Sequence, residues 1–464
     1  MKRLISVFLA IFLCVGMLSA CGGRKNNADP QDNLPAVPEL PTSTEKDTID
    51  YDALSRLPFD GLAETPASEF SYTQSSAGVT VTSYNGSSDR VRIPDVINGS
   101  PVVAIGDRAF SDASKLKILM IPDRVTSFGE KVLAGCSELY ALRTPLPQKD
   151  GTYFLGYLFG ATSYEVNNVQ ALRTLDFLEI GGAPTSLPSY ALYDCNDLVT
   201  VRLPESITVI EEYALYRCES LKWINLDGIQ VIGRNAMDHC YEIERITLSP
   251  NLTEIGLAAF GNCYSARNLT LPFIGGSRTE NRYLGYIFGA SDPSFSKGFY
   301  PPALRSVTIL DGADRIDDYA FYEAEWLCEV VIPATVHSIG TRAFFGCYRL
   351  HRITLPTGVT EIGDFAFGEC LNLTSMTLPE GLTHLGVGVF STCLSLTEIN
   401  LPRTLTFLPG STFLNCRSLT TVRLGGVSKV GKRAFWGCDA LATLEADGKV
   451  RFEKGNSGAK KLLK

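Results

Sequence analysis

Thirteen cysteines and four histidines are the side chains of this 464-residue sequence best suited to redox, metal or nucleophilic chemistry. Ten of the cysteines (Cys136, Cys195, Cys218, Cys240, Cys263, Cys347, Cys370, Cys393, Cys416 and Cys438) share one phase of a spacing that is mostly 22 or 23 residues. In an exported protein such cysteines pair as disulfides by default. Two equivalent positions, however, hold Ala113 and Ala324. A position that accepts Ala asks for a small apolar body, and side chains of stacked turns point in parallel toward a core rather than at one another. Buried free thiols are therefore expected, with some disulfides as the alternative. Metal binding is weaker, because no Cys-x-x-Cys pair and no phased histidine accompanies them. Cys328 lies out of phase on a predicted strand and is expected to be exposed. His239, His337, His351 and His384 fall at different phases and read as solvated turn or strand residues. There is no His-Glu-x-x-His, no Walker loop and no Gly-x-Ser-x-Gly elbow. Acidic residues sit at variable positions, as a solvated face requires. No catalytic residue, metal site or cofactor is assigned.

What must position these residues is a repeat. An apolar anchor recurs at Phe110, Leu133, Leu192, Leu215, Met237, Phe260, Phe321, Phe344, Phe367, Phe390, Phe413 and Phe435. Steps are 22 or 23 residues except for 59 and 61, which read as one repeat plus insertions at about 146–182 and 273–303. Five residues before each anchor stands an apolar residue, followed by Gly in eight of twelve copies. Cys usually comes three residues after the anchor, then a strand-like segment such as Leu350 to Pro356. The alternation in Ile353-Thr354-Leu355 points two side chains inward and one outward, and the following Pro ends the strand because it cannot donate to a ladder. A unit of 23 residues meets a chain-entropy cost of roughly 1.5 kcal/mol per residue, so it must bury its apolar row against identical neighbours. The result is one long solenoid.

The pattern Ile-x-x-Ile-Gly-x-x-Ala-Phe-x-x-Cys-x-x-Leu-x-x-Ile-x-Leu-Pro resembles the BspA-like leucine-rich repeat family of bacterial surface proteins, over about residues 101–446. The resemblance implies an α/β-type, curved leucine-rich repeat solenoid, with short parallel strands on the concave face and turns or short helical or 3₁₀ segments on the convex face. One departure stands out. The Asn or Cys expected three residues after the strand's last Leu is absent, and Gly358 occupies that place. An Asn ladder is therefore not what ties these turns.

The ends read differently. Met-Lys-Arg, an apolar run from Leu4 to Met17 and then Leu18-Ser19-Ala20-Cys21 form an export signal. Its end resembles the bacterial lipobox, which implies cleavage after residue 20 and lipid attachment at Cys21. Each acyl CH₂ buried in a membrane then contributes about 0.8 kcal/mol. Residues 21–68, polar and dotted with Pro, read as a flexible tether with a reach of roughly 40 Å. Residues 69–100 read as a β-hairpin N-terminal cap turning at Asn85-Gly86 and Asn98-Gly99. Residues 447–464, with six bases and two acids, read as a frayed basic tail.

The formal charge of -8 disfavours a nucleic-acid binder, which needs clustered bases on phosphates. The outward strand positions form two columns, and Trp223 with Arg202, Arg245, Asn225 and Thr247 is their least neutral cluster, because Trp and Arg anchor interfaces. Each insertion carries a related aromatic run, Tyr153 to Ala161 and Arg282 to Ala290. In these runs Tyr157 and Tyr286 either pack locally or meet a partner. The expected function is that of a lipid-anchored cell-surface protein binding an extracellular protein or glycan in adhesion. The alternatives are an envelope enzyme or enzyme-accessory lipoprotein acting on polysaccharide, and a spacer without a ligand.

Overall fold

The computed structural model describes residues 58–111, 113–168 and 173–463. The signal, Cys21 and most of the tether lie outside them. The described chain winds as a parallel β-solenoid of about 16 turns. Each regular turn contributes a strand of two to four residues to a first ladder and a two-residue strand to a second. In the first ladder Glu398, Ile399 and Asn400 sit opposite Thr421, Val422 and Arg423. In the second, Ser338–Ile339 pairs with Glu361–Ile362 and that strand with His384–Leu385.

Between the ladders the anchors form a continuous buried column. Phe321, Phe344, Phe367, Phe390, Phe413 and Phe435 stack face to face at centroid spacings of 5.1, 5.2, 5.9, 5.7 and 5.5 Å. One apolar cluster runs from Phe70 to Ala459. Of the turns or short helical segments expected outside the strands, the regular repeats take tight turns. Residues such as Tyr213, Arg217, Arg342 and Glu369 hold left-handed φ values there, which reverses the chain too often for a helix to propagate. Among the described residues, α-helix is confined to Gly285–Phe288 and Ser457–Leu462, and no helix is long and apolar enough to cross a membrane.

The phased cysteines do for these turns what an Asn ladder does elsewhere. In nine of the ten, Sγ donates to the carbonyl of the preceding turn's anchor, for example Cys370 to Phe344 at 3.2 Å and Cys416 to Phe390 at 3.0 Å. A buried carbonyl without a partner costs free energy, and the thiol supplies a donor small enough for the space. All ten are buried and free. Burial pushes their thiols far above the ordinary value at Cys218, Cys370 and Cys416, and to about 12 at Cys438. Since the thiolate is the reactive form, the ten are expected to resist alkylation in the folded protein and to react fully once it is denatured. Peptide mass spectrometry would report this, and native labelling at Cys370 would contradict it. Cys328, expected to be exposed, is instead buried, its Sγ donating to the Trp326 carbonyl at 3.5 Å.

The two insertions are turns of the stack, so twelve repeats undercounts it. Phe177–Ile180 lies in register between Ala141–Thr144 and Thr200–Arg202. Ser306–Ile309 does the same between Asn268–Leu271 and Glu329–Val331. The aromatic runs occupy the anchor column: Leu133 N–H donates to the Leu158 carbonyl and Phe260 N–H to that of Ile287. What both long turns lack is the second-ladder strand. That ladder stops after Ser127–Phe128, resumes at Ser186–Leu187, stops after Glu254–Ile255 and resumes at Arg315–Ile316. It also breaks between His384–Leu385 and Phe407–Leu408, next to Pro409, which has no N–H to donate.

Both ends are covered. Phe70–Ser75 and Gly78–Tyr84 form an antiparallel hairpin that leads into Ser100–Ile105. Asn98 and Gly99, at φ 50 and 76, make the expected turn. Asn85-Gly86 does not turn a hairpin, because the following strand, Arg90–Arg92, joins the first ladder beside Ile118–Met120. Part of the segment read as tether is packed: Phe59 is buried edge-on against Phe177 at 5.8 Å, and Thr65 N–H donates to the Arg92 carbonyl. This covers the exposed edge of the first ladder. Residues 447–463 are not frayed. Arg451–Phe452 extends the second ladder, and buried Asn456 accepts from Phe435 N–H at 3.1 Å and donates to the Gly431 carbonyl at 2.8 Å. The tail therefore supplies the polar partners that a next turn would have given.

Candidate functional site

The first-ladder cluster read from sequence is placed on one outward face. Arg202, Trp223, Asn225, Arg245 and Thr247 come from three consecutive turns, with Trp223 half-buried in register with Thr200 and with Arg245 and Thr247 exposed. Asn225 is committed within the fold, accepting from Leu203 N–H at 2.8 Å and donating to the Leu203 carbonyl at 2.9 Å. Tyr157 and Tyr286 are not brought to this face. Tyr157 is buried against Phe154 at 5.8 Å, and Tyr286 packs edge-on against Tyr283 at 6.0 Å. Tyr157 does packing work, whereas Tyr286 packs on one side and stays partly exposed on the other.

A larger feature lies on the turns outside the anchor column. Positions two before and one after the anchor carry Tyr190 and Tyr193 in one turn and Tyr213 and Tyr216 in the next. Stacking at a 23-residue period superposes them: Tyr190 on Tyr213 at 5.6 Å and 5°, Tyr193 on Tyr216 at 5.2 Å and 15°. Tyr164 extends the strip on one side, stacked on Tyr190 at 4.2 Å. On the other side His239 lies 5.2 Å from Tyr216, and Tyr241 leads to Tyr264, which is 53% exposed. Eight rings thus form one connected surface, the rest of them partly exposed. Partial burial holds the hydroxyls of Tyr190, Tyr193, Tyr216 and Tyr241 above their ordinary value, so they are neutral donors at physiological pH. Arg217 bridges Asp194 at 3.4 Å and Glu219 at 3.2 Å along the margin. Tyr offers large, rigid contact area with a hydrogen-bonding tip and little entropy to lose. The Tyr-x-x-Tyr pair repeating at 23 residues was the available signal in the sequence.

Through Tyr190 the strip meets a cleft of about 700 Å³. This cleft is the gap left in the second ladder by the first long turn, with Val125 and Thr126 on one wall and Thr185 and Ser186 on the other. Its two carboxylates are engaged. Asp123 contacts Arg143 at 2.8 Å and accepts from Gly182 N–H at 2.8 Å. Burial opposes its ionisation, but Arg143 and Gly182 prevail and hold the Asp123 carboxyl below the ordinary value. Glu211 accepts from the Ser186 hydroxyl at 2.8 Å and from Ser189 N–H at 3.0 Å. Among the described residues no group of three His, Cys, Asp or Glu is arranged to hold a metal ion.

Comparison with known proteins matches the family described as the BspA type leucine-rich repeat region, in six copies, over residues 88–171, 185–274 and 299–442. The two internal unmatched intervals, 172–184 and 275–298, fall at the two long turns. Among solved structures, a leucine-rich cell surface protein from Faecalibacterium prausnitzii A2-165 is 23% identical, covering 84% of this chain and 96% of its own, with a TM-score of 0.30. A leucine-rich repeat protein from Bacteroides ovatus is 19% identical, covering 84% and 100%, at 0.34. The pneumococcal vaccine antigen PcpA is 16% identical, covering 85% and 96%, at 0.34. A search of curated proteins gave no match.

Proposed function

Because this chain belongs to the BspA-type leucine-rich repeat family, we propose that it is an exported cell-surface binding protein, lipid-anchored through Cys21, that holds an extracellular protein or glycan in adhesion. The observation that carries this reading is the connected strip of eight part-exposed rings from Tyr164 to Tyr264. Contiguous exposed aromatic surface marks interaction sites on soluble proteins, and a polar tip on each ring suits the hydroxyls of a glycan as well as a protein backbone. An envelope enzyme acting on polysaccharide would need a protonated acid facing a second carboxylate. The ionised Asp123, held by Arg143, does not serve as that acid.

The purified protein, screened against extracellular matrix proteins and envelope glycans, is expected to bind a partner that the double variant Tyr213→Ser, Tyr216→Ser binds at least about 10-fold more weakly, the loss of a hot-spot pair. Trp223→Ala tests the first-ladder face in the same assay. Binding that depends on Trp223 and is indifferent to both tyrosines would move the site to that face.

A further inference from the structure

The second ladder lacks one strand at each long turn, and the two gaps are filled differently. Beyond Glu254–Ile255 the chain fills its own gap. Ser277 bridges Glu254 in the antiparallel sense, and Ile255 N–H donates to the Gly276 carbonyl at 2.8 Å. Only about 30 Å³ stays open there, beside Arg278 and Arg282. Beyond Ser127–Phe128 the gap remains as the 700 Å³ cleft.

Loop length and composition explain the difference. Phe154 follows Thr144 by 10 residues, whereas its counterpart Tyr283 follows Leu271 by 12. The longer loop also carries Gly275 at φ +87, where a Cβ would collide with the Asn281 carbonyl. The shorter loop holds Pro145 and Pro147 and folds on itself, pairing Gln148–Lys149 with Thr152–Tyr153. It does not reach the ladder.

The cleft walls are strand edges in waiting. Where the ladder is complete, Val231 N–H donates to the Thr208 carbonyl and Gly233 N–H to the Ile210 carbonyl, at 3.2 and 2.7 Å. The same register turns the Thr126 and Phe128 carbonyls toward one side of the gap and the Thr185 and Ser186 N–H groups toward the other. Pro188 stands where Gly233 stands in its turn, so this position requires no acceptor from a missing strand. Neighbouring strands lie about 4.8 Å apart, so a gap of one strand admits an extended backbone and excludes a helix. The lining includes Asp123 and Glu211 and no Lys, Arg or His.

We infer that the cleft between Ser127–Phe128 and Ser186–Leu187 takes an extended, basic peptide segment of a partner as its missing strand, antiparallel, the sense of the Ser277–Glu254 bridge at the second gap. Strand addition of this kind draws affinity from main-chain hydrogen bonds, and Glu211, the carboxylate of the lining that Arg143 does not hold, selects the charge. The site is distinct from the tyrosine strip in chemistry and goes beyond that reading.

The probe is a fluorescein-labelled peptide with the sequence of residues 273–282, which contains Arg278 and Arg282, titrated into the full chain by polarisation. Saturable binding is expected that weakens as salt is raised, weakens at least 3-fold in Glu211→Gln and is lost when alternate peptide nitrogens are methylated. Hydrogen exchange, which needs no variant, should slow at Phe128, Thr185 and Ser186 on binding. Absence of saturable binding, or protection at Ile255 in place of Phe128, would overturn the inference. Tyr264→Ser, at the far end of the strip from the cleft, should leave peptide affinity unchanged, so this site and the strip fail independently.

Discussion

Phe367→Ala is expected to lower the unfolding free energy by about 3–5 kcal/mol, the range for removing a fully buried aromatic ring. Phe367 has no exposed surface and lies between two parallel neighbours, 5.2 Å from Phe344 and 5.9 Å from Phe390. Truncation opens a cavity that neither neighbour can fill, since each is held by the next ring along. In a stack where every turn contacts only its neighbours, the lost energy falls on two interfaces at once. Phe435 is the internal control. It ends the column with one ring partner at 5.5 Å, so Phe435→Ala is expected to cost measurably less. Urea titration followed by circular dichroism gives both values. A loss below about 1 kcal/mol at Phe367 would mean that the column does not carry the stack.

Gly363→Ala is expected to destabilise by about 3 kcal/mol, at the upper end of the range for overpacking. A Cβ there would lie 2.6 Å from Thr341 N, 2.8 Å from Gly340 C and 3.0 Å from Thr341 Cα. All three are main-chain atoms of the preceding turn, so no flexible side chain can move aside. Gly363 N–H also donates to the Ile339 carbonyl at 2.8 Å, and separating the turns to admit the methyl would stretch that bond. Gly458→Ala, in the helix Ser457–Leu462 with open space around it, should have the opposite sign. There the gain is about 0.5–1 kcal/mol, from better helix propensity and lower chain entropy. The same thermal or urea melts decide both. A destabilisation of Gly363→Ala within error of zero would show that the turns are not in close backbone contact.

That glycine illustrates what a linear reading reaches and what it misses. The recurrence of Gly after Ile362 and its equivalents is visible in the sequence and suggests a turn. The cause is instead the backbone of another turn some 23 residues away. The exceptions carry the information. Four copies replace the glycine: Pro188 and Asp317 in the turns that follow the two long ones, Pro409 at the third break of the second ladder, and Glu211 where the ladder is unbroken. Three of the four substitutions thus stand where the preceding backbone is absent from the second ladder. The tyrosine strip was missed for a related reason: Tyr190, Tyr193, Tyr213 and Tyr216 are spread along 27 positions of sequence, and only the stacking of turns makes them one surface.

The amino-acid order by itself determined the solenoid, its period, its anchor column and the small buried body required at each phased cysteine, because these depend on one residue type recurring at one interval. It also carried the resemblance to the BspA-type family, through the same interval. Only the packed chain decided that the insertions are full turns, that nine of the ten phased thiols serve a carbonyl one turn away, that the tail closes the stack and that one strand gap stays open while its twin is filled. Those outcomes depend on distances between residues far apart in the chain, set by where one turn lands on the next, and no local pattern encodes such a distance.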